Sequence, residues 1–239
     1  MNIILFQPEE VEHPLALRDE RAQHLLRVLR LSPGGVFDAG IVNGPLGKGT
    51  LAGVGSEALE LSFTWGKVPS PLCPIHLLVG LPRPQTARDI LRDATSLGVA
   101  SIDFFLSDRG ETSYGASSLW KTDEWKNCVI RGAAQAFCTR LPLVTHGRPL
   151  PETISAIPKN SLLLALDNYE APASLAGLNA FDHSSVAVAL GSERGWSPNE
   201  RMVLRSAGFS LVHLGSRVLR TETACIAAVT LIKAKLGWF

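Results

Sequence analysis

Long hydrophobic runs are missing from this sequence. No stretch approaches ~18 uninterrupted apolar residues, so no membrane span is expected. The N-terminal apolar run reaches only from Ile3 to Phe6, and no signal peptide is expected. Cysteine is scarce: Cys73, Cys128, Cys138 and Cys225 show no C-x-x-C spacing, so neither a disulfide scaffold nor a zinc site is expected. The 6 histidines form no H-x-H or H-x-x-x-H pattern, which also argues against a metal. An excess of one charge is missing too. With 23 Lys+Arg against 22 Asp+Glu, bulk charge cannot be what grips a nucleic acid, and any RNA contact must come from local basic groups. A reduced, cytoplasmic protein is the natural expectation.

What remains is a folded composition, 46% hydrophobic and 19% charged, in a chain of 239 residues with room for a small domain and a medium one. Residues 1 to about 66 are rich in short strand-like runs: Val36–Ala39, Leu51–Val54 and Ala58–Trp65, separated by turns such as Pro33-Gly34-Gly35 and Asn43-Gly44-Pro45. One helix is expected over Arg18–Leu31. Leu25, Leu26 and Leu29 would form its apolar stripe, and Arg27 and Arg30 would share a face. Mostly β with one helix reads as a small barrel. Gly66–Pro74, with three prolines in nine residues, reads as a stiff linker. Beyond it strands and helices alternate. Strands are expected at His76–Gly80, Ser101–Leu106, Pro142–Thr145, Leu162–Leu166, Val186–Leu190 and Ser210–His213. Helices are expected at Thr86–Leu97, Asp123–Phe137, Pro198–Ala207 and Thr221–Leu236. This is the pattern of an α/β parallel sheet, and the continuous apolar runs at 162–166 and 186–190 suit strands buried on both faces.

Two C-terminal segments carry the chemistry. Leu190-Gly-Ser-Glu-Arg-Gly-Trp-Ser-Pro-Asn-Glu200 runs from a buried strand through Gly191 and Gly195 into a helix. Ser197 is its N-cap, Pro198 its first residue, and Glu200 completes a capping box. A loop at the C-terminal edge of a parallel strand is where ligands sit in open α/β sheets, although a plain strand-to-helix turn would look the same. The segment matches neither the dinucleotide nor the phosphate-loop glycine pattern, so a Rossmann-type oxidoreductase is a distant reading. In His213-Leu-Gly-Ser-Arg-Val-Leu-Arg-Thr-Glu-Thr-Ala224, Val218 and Leu219 lie between two arginines in a loop. Apolar residues there need a buried surface or the apolar face of a ligand.

Together these segments resemble the RsmE family of the SPOUT superfamily, the uridine-N3 methyltransferases of 16S ribosomal RNA. The first is similar to the family's glycine loop, I-G-P-E-G-G-F-S-x-x-E, and the second to its L-G-x-R-I-L-R-T-E-T-A signature. Weaker similarity lies at His24–Arg30 with Pro33-Gly34, at Asp93–Val99 and at Ser107–Gly110. The resemblance implies an α/β fold: a PUA-like, RNA-binding β-barrel over 1–70 and a SPOUT domain with a C-terminal trefoil knot over 71–239. It implies S-adenosyl-L-methionine bound by Leu166, by Leu190, Gly191 and Gly195, and by Leu214, Gly215, Ser216, Val218 and Leu219. It also implies a homodimer acting on ribosomal RNA or the small subunit, with no membrane and no metal.

On that reading, Arg220 supplies electrostatic help to the uridine, while Glu222 or Glu193 is the base. Arg220 pairing with Glu222 or holding phosphate, Glu222 as a helix-dipole partner, and Glu193 as a surface residue remain open. Arg27, Arg30, Arg83 and Arg109 are candidates for holding the RNA backbone, with a simply solvated arginine as the alternative for each. Tyr169 and Trp196 are candidates for stacking on a base, although aromatics beside a loop more often serve in packing. The sequence departs from the family at Ser192 and Arg194, at Asp93 and Ser96, and at Ala134–Cys138, where E-Q-S-x-R loses its Glu and Arg; Arg140 stands two residues beyond. Those departures keep two further readings in view: a SPOUT methyltransferase acting on another RNA or a ribose 2′-hydroxyl, and a non-catalytic RNA-binding or assembly factor.

Overall fold

The computed structural model describes residues 2–179 and 183–238. The chain divides into two compact units, Met1–Pro71 with Ala133–Leu141, and Leu72–Gly132 with Pro142–Phe239. The first unit therefore takes in a segment that the sequence pattern assigned to the second part.

In the first unit, β1 (Ile4–Phe6), β2 (Leu15–Ala16), β3 (Val36–Ile41), β4 (Leu46–Val54) and β5 (Ala58–Trp65) form one mixed sheet in the order β1-β3-β4-β5-β2. Only β1 and β3 pair in parallel. Its core is Phe6, Leu15, Leu25, Phe37, Leu51 and Leu59, and Phe63 stacks on Trp65 at 5.0 Å. The single helix differs from expectation. Regular α-helix (α1) covers only Glu20–Gln23, capped by the Asp19 carboxylate, and then widens into a π turn over His24–Val28. A π turn adds residues per turn and breaks the 3.6 period. Leu25 is fully buried but Leu29 is 43% exposed, so the expected stripe does not form. Arg30 closes the turn in the left-handed region at φ 52°, and it does not share a helical face with Arg27. Segment 133–141 is held to this unit through its backbone: Ile3 N–H donates to the Ala134 carbonyl and Asn43 N–H to that of Thr139.

The second unit is a seven-stranded sheet, parallel throughout. Its elements are β6 (Cys73–Gly80), α2 (Pro84–Ser96), β7 (Val99–Leu106), α3 (Ser118–Lys121), α4 (Glu124–Gln135, ending in the first unit), β8 (Leu143–Pro149), α5 (Leu150–Ser155), β9 (Leu162–Leu166), β10 (Ala173–Ser174), β11 (Val186–Leu190), α6 (Pro198–Ser206), β12 (Ser210–His213) and α7 (Thr221–Leu236). Strand order is β10-β12-β9-β11-β6-β7-β8. Strand β11, between β9 and β6, is buried along its whole length, as its unbroken apolar run requires. One face of the sheet packs Leu78, Phe105, Ala187 and Ala189 against Leu150, Trp196, Leu204 and Phe209.

The chain crosses β9 to form β12, then returns in α7 to pack on α2, β6 and β11. The linker is shorter than expected, because β6 begins at Cys73. Pro74, which has no N–H to donate, sits in a register shift between Cys73 and His76 and outside the β11 ladder, which starts at Ile75. No helix among the described residues is long and apolar enough to cross a membrane.

Candidate active site

Pairing sets the geometry of the site. Leu166 lies opposite Leu190 in β11 and Val212 in β12, so the loops leaving β9, β11 and β12 emerge side by side at one sheet edge. Between them is a cavity of about 360 Å³, within the usual range for small-molecule sites. Of the expected contacts, Leu166, Leu190, Gly191, Gly195, Leu214, Val218 and Leu219 line it, as does Glu193. Gly215 and Ser216 do not: they lie on the exposed bend between Leu214 and Val218. Arg220 and Glu222 flank Thr221, which does line the cavity; Arg220 is exposed as the N-cap residue of α7, and Glu222 is half-buried in its first turn.

The first two loops are held by a buried ion pair that the sequence reading missed. Asp167 directly follows β9, and its carboxylate receives Arg201 Nε at 2.5 Å and Nη2 at 3.3 Å. Side-chain exposures are 1% for Asp167 and 9% for Arg201. The same carboxylate accepts the Tyr169 N–H at 2.8 Å and so shapes the turn after β9. Burial pushes the Asp167 carboxyl up, but the bonds and charge of Arg201, with the Tyr169 and Glu170 N–H groups, outweigh it and hold the acid below its ordinary value. Arg201 also donates to the Trp196 carbonyl at 3.1 Å, and Glu170 bridges Arg201 and Arg205.

Trp196 itself is buried, not poised to stack on a base. Its indole N–H donates to the Leu166 carbonyl at 2.7 Å, and its ring lies parallel to that of Phe105 at 5.8 Å. Tyr169, 82% exposed, stands in the cavity lining.

Backbone packing is close under the glycine loop. A Cβ on Gly80 would lie 2.6 Å from the Ser192 nitrogen and 3.1 Å from the Gly191 carbonyl carbon, so only glycine lets β6 approach this closely. Gly195 turns the loop at φ +68°, where a side chain would be strained, and closes a bridge with Ser192. In the third loop, the Gly215 N–H donates to His213 Nδ1 at 3.0 Å.

The remaining candidates occupy varied positions. Glu193 Oε1 accepts the backbone N–H of Arg83, the residue that caps α2, at 2.9 Å. Arg109 Nη1 donates to the Arg194 carbonyl at 3.3 Å. Arg140 Nε donates to the Pro69 carbonyl at 3.4 Å. Arg27 and Arg30 belong to the first unit.

Residues 68–233 match the RNA methyltransferase domain family. The chain is 38% identical to the ribosomal RNA small subunit methyltransferase E of Treponema pallidum, over 98% of this chain and 91% of that protein. It belongs to that methyltransferase family. The Borreliella burgdorferi member named methyltransferase E 1 is 28% identical over 99% of both chains. The methyltransferase E of Neisseria gonorrhoeae, crystallised with S-adenosyl methionine, superposes with a TM-score of 0.77, at 23% identity and 97% coverage of each chain. The fold is thus shared with that structure: a seven-stranded parallel α/β sheet and a small mixed N-terminal sheet, as the SPOUT and PUA-like resemblance leads us to expect.

Proposed function

We propose that the protein transfers a methyl group from S-adenosylmethionine to N3 of a uridine in small-subunit ribosomal RNA. The observation that carries this is the cavity at the ends of β9, β11 and β12, in a chain of this family. Its lining suits such a ligand. Leu166, Leu190, Leu214, Val218 and Leu219 offer apolar faces for a flat base, and the glycine loop offers main-chain groups for its polar edge; of the charged residues in the lining, Asp167 and Arg201 are paired with each other, and Glu193 accepts the Arg83 N–H.

S-adenosylmethionine, when bound, supplies a methyl on a positively charged sulfur, a donor that needs alignment more than activation. The chain's part is then to hold the uridine and manage its N3 proton. Free uridine keeps that proton well above neutral pH, so the site must favour the anion by ~2–3 kcal/mol, about two pKa units. Arg220 would supply this from the end of the third loop. Its side chain has no carboxylate partner among the described residues, Glu222 included. Of the two base candidates, Glu193 lines the cavity but already accepts the Arg83 N–H, whereas the Glu222 carboxylate carries no hydrogen bond among the described residues and lies one position beyond Thr221, which lines the cavity. Arg27, Arg30, Arg83 and Arg109 would hold phosphates, and Tyr169 is the aromatic left to stack on a base. A homodimer is the assembly that the family resemblance supports.

Methylation of small subunits from cells lacking the protein, with the product mapped by mass spectrometry, tests the reading. N3-methyluridine is expected. A methyl on a ribose 2′-oxygen, or none, would overturn it. The close approach at Gly80 gives a second test. Gly80→Ala is expected to displace the Gly191–Ser192 backbone at a cost of about 1–3 kcal/mol. The binding constant for S-adenosylhomocysteine, measured by titration calorimetry, should weaken about tenfold or more; unchanged affinity would mean that the loop does not clasp the ligand.

A further inference from the structure

The turn after β7 lies outside the cavity lining, yet three consecutive residues in it bond to the glycine loop and the helix cap that ends it. Ser107 Oγ donates to Ser192 Oγ at 3.4 Å, and Arg109 Nη1 to the Arg194 carbonyl at 3.3 Å. Between them, Asp108 bonds in both directions. Its carboxylate accepts the Ser197 hydroxyl at 2.5 Å, and its own N–H donates to Glu200 Oε1 at 3.1 Å.

These bonds close a circuit. Ser197 is the N-cap of α6: its Oγ accepts the Glu200 N–H at 3.0 Å, and its N–H donates to Glu200 Oε2 at 2.7 Å. Glu200 is 2% exposed, so both carboxylate oxygens need partners, and the Asp108 N–H serves the second. The Ser197 hydroxyl has one proton to donate, and Asp108 is its acceptor. A hydroxyl bound to a carboxylate is among the shorter and stronger hydrogen bonds. The glycine loop is thus fixed at its start by β11 and the contact with Gly80, and at its end by Asp108.

We propose that Asp108 is a positioning residue for the methyl donor. It does not touch the ligand but holds the Gly191–Trp196 loop in its binding shape by anchoring Ser197. The proposal rests on the reading that this cavity takes S-adenosylmethionine.

The test is titration of the full chain with S-adenosylhomocysteine, alongside steady-state methyl transfer. Asp108→Ala is expected to raise the dissociation constant and the KM for the methyl donor about tenfold. The kcat at saturating donor should stay within about twofold, because Asp108 does not line the cavity. Asp108→Asn, whose amide oxygen can still accept the Ser197 hydroxyl, should restore affinity to within about threefold of wild type. Trypsin cleavage after the exposed Arg194 should quicken several-fold in Asp108→Ala relative to cleavage elsewhere, since that bond lies in the freed loop. If Asp108→Ala does not fold, Asp108→Ser, too short to reach Ser197, carries the same expectations. Wild-type binding with equal binding by the Ala and Ser variants would overturn this proposal alone. A variant that loses kcat at unchanged affinity would also overturn it, by placing Asp108 in the chemistry. Failure of the wild type to bind would overturn the reading of the cavity and this proposal with it.

Discussion

Arg201→Ala should lower the unfolding midpoint by about 10 °C. The substitution leaves the Asp167 carboxylate, 1% exposed, without its cation, and breaking a buried pair from one side costs about 3–5 kcal/mol. In a chain of this length each kcal/mol moves the midpoint by about 2–4 °C. The loss should depend on pH in a definite direction. The folded-state acid is held below its ordinary value, so the stability it contributes is present above the unfolded-state value, 3.8, and disappears as pH falls through the lower folded value. The gap between wild type and variant should therefore be full at pH 7 and shrink in acid. Calorimetric scans at several pH values check this; a gap that widens in acid would mean that Asp167 is not the group responsible. Asp167→Ala with Arg201→Ala together should cost clearly less than the sum of the single variants, because the double variant buries no lone charge. Affinity for S-adenosylhomocysteine should fall in both single variants, since the pair shapes the turn after β9 and holds the Trp196 carbonyl.

This pair also marks where the sequence stopped being readable. The strands Leu162–Leu166, Val186–Leu190 and Ser210–His213 were legible because apolar runs bounded by polar residues leave few alternatives. The cap Ser197–Pro198–Glu200 was legible because its residues act on one another within a single turn. Asp167 and Arg201 bond across 34 positions, and Gly80 meets Ser192 from another strand. No local spacing encodes either meeting; both follow from the strand order that brings β9, β11 and β6 together.

For Trp196 the choice between packing and stacking on a base was open in the sequence for the same reason. Beside a glycine loop an aromatic looks available, and only the sheet supplies Phe105 and the Leu166 carbonyl that bury it. The π turn at His24–Val28 shows the opposite failure. A locally plausible 3.6-residue period was extended over a segment whose backbone widens and then closes at Arg30. Val218, 76% exposed between two arginines, was a signal that did lead to the site, because its side chain borders the cavity.

Arg220→Ala should reduce kcat by about 10²-fold while leaving S-adenosylhomocysteine affinity within about threefold. The reduction follows from the role: favouring the uridine anion by ~2–3 kcal/mol corresponds to about 30- to 150-fold in rate. The unchanged affinity follows from position, since Arg220 is outside the lining of the cavity, although its neighbours Leu219 and Thr221 are part of it. Arg220→Lys keeps a cation on a different stem and should recover part of the rate, without the planar fork that can meet a base edge at two atoms. The pH dependence separates this role from simple phosphate holding. Removal of a cation that only grips phosphate would raise the KM for RNA and flatten the salt dependence of binding at every pH. Loss of anion stabilisation would instead leave a variant whose kcat climbs more steeply with pH than that of the wild type, because the N3 proton must then leave without a cation beside it. Equal kcat in Arg220→Ala and wild type at neutral pH, with donor saturating, would remove Arg220 from the chemistry and leave Glu222, in the first turn of the helix that Arg220 caps, as the group to test next.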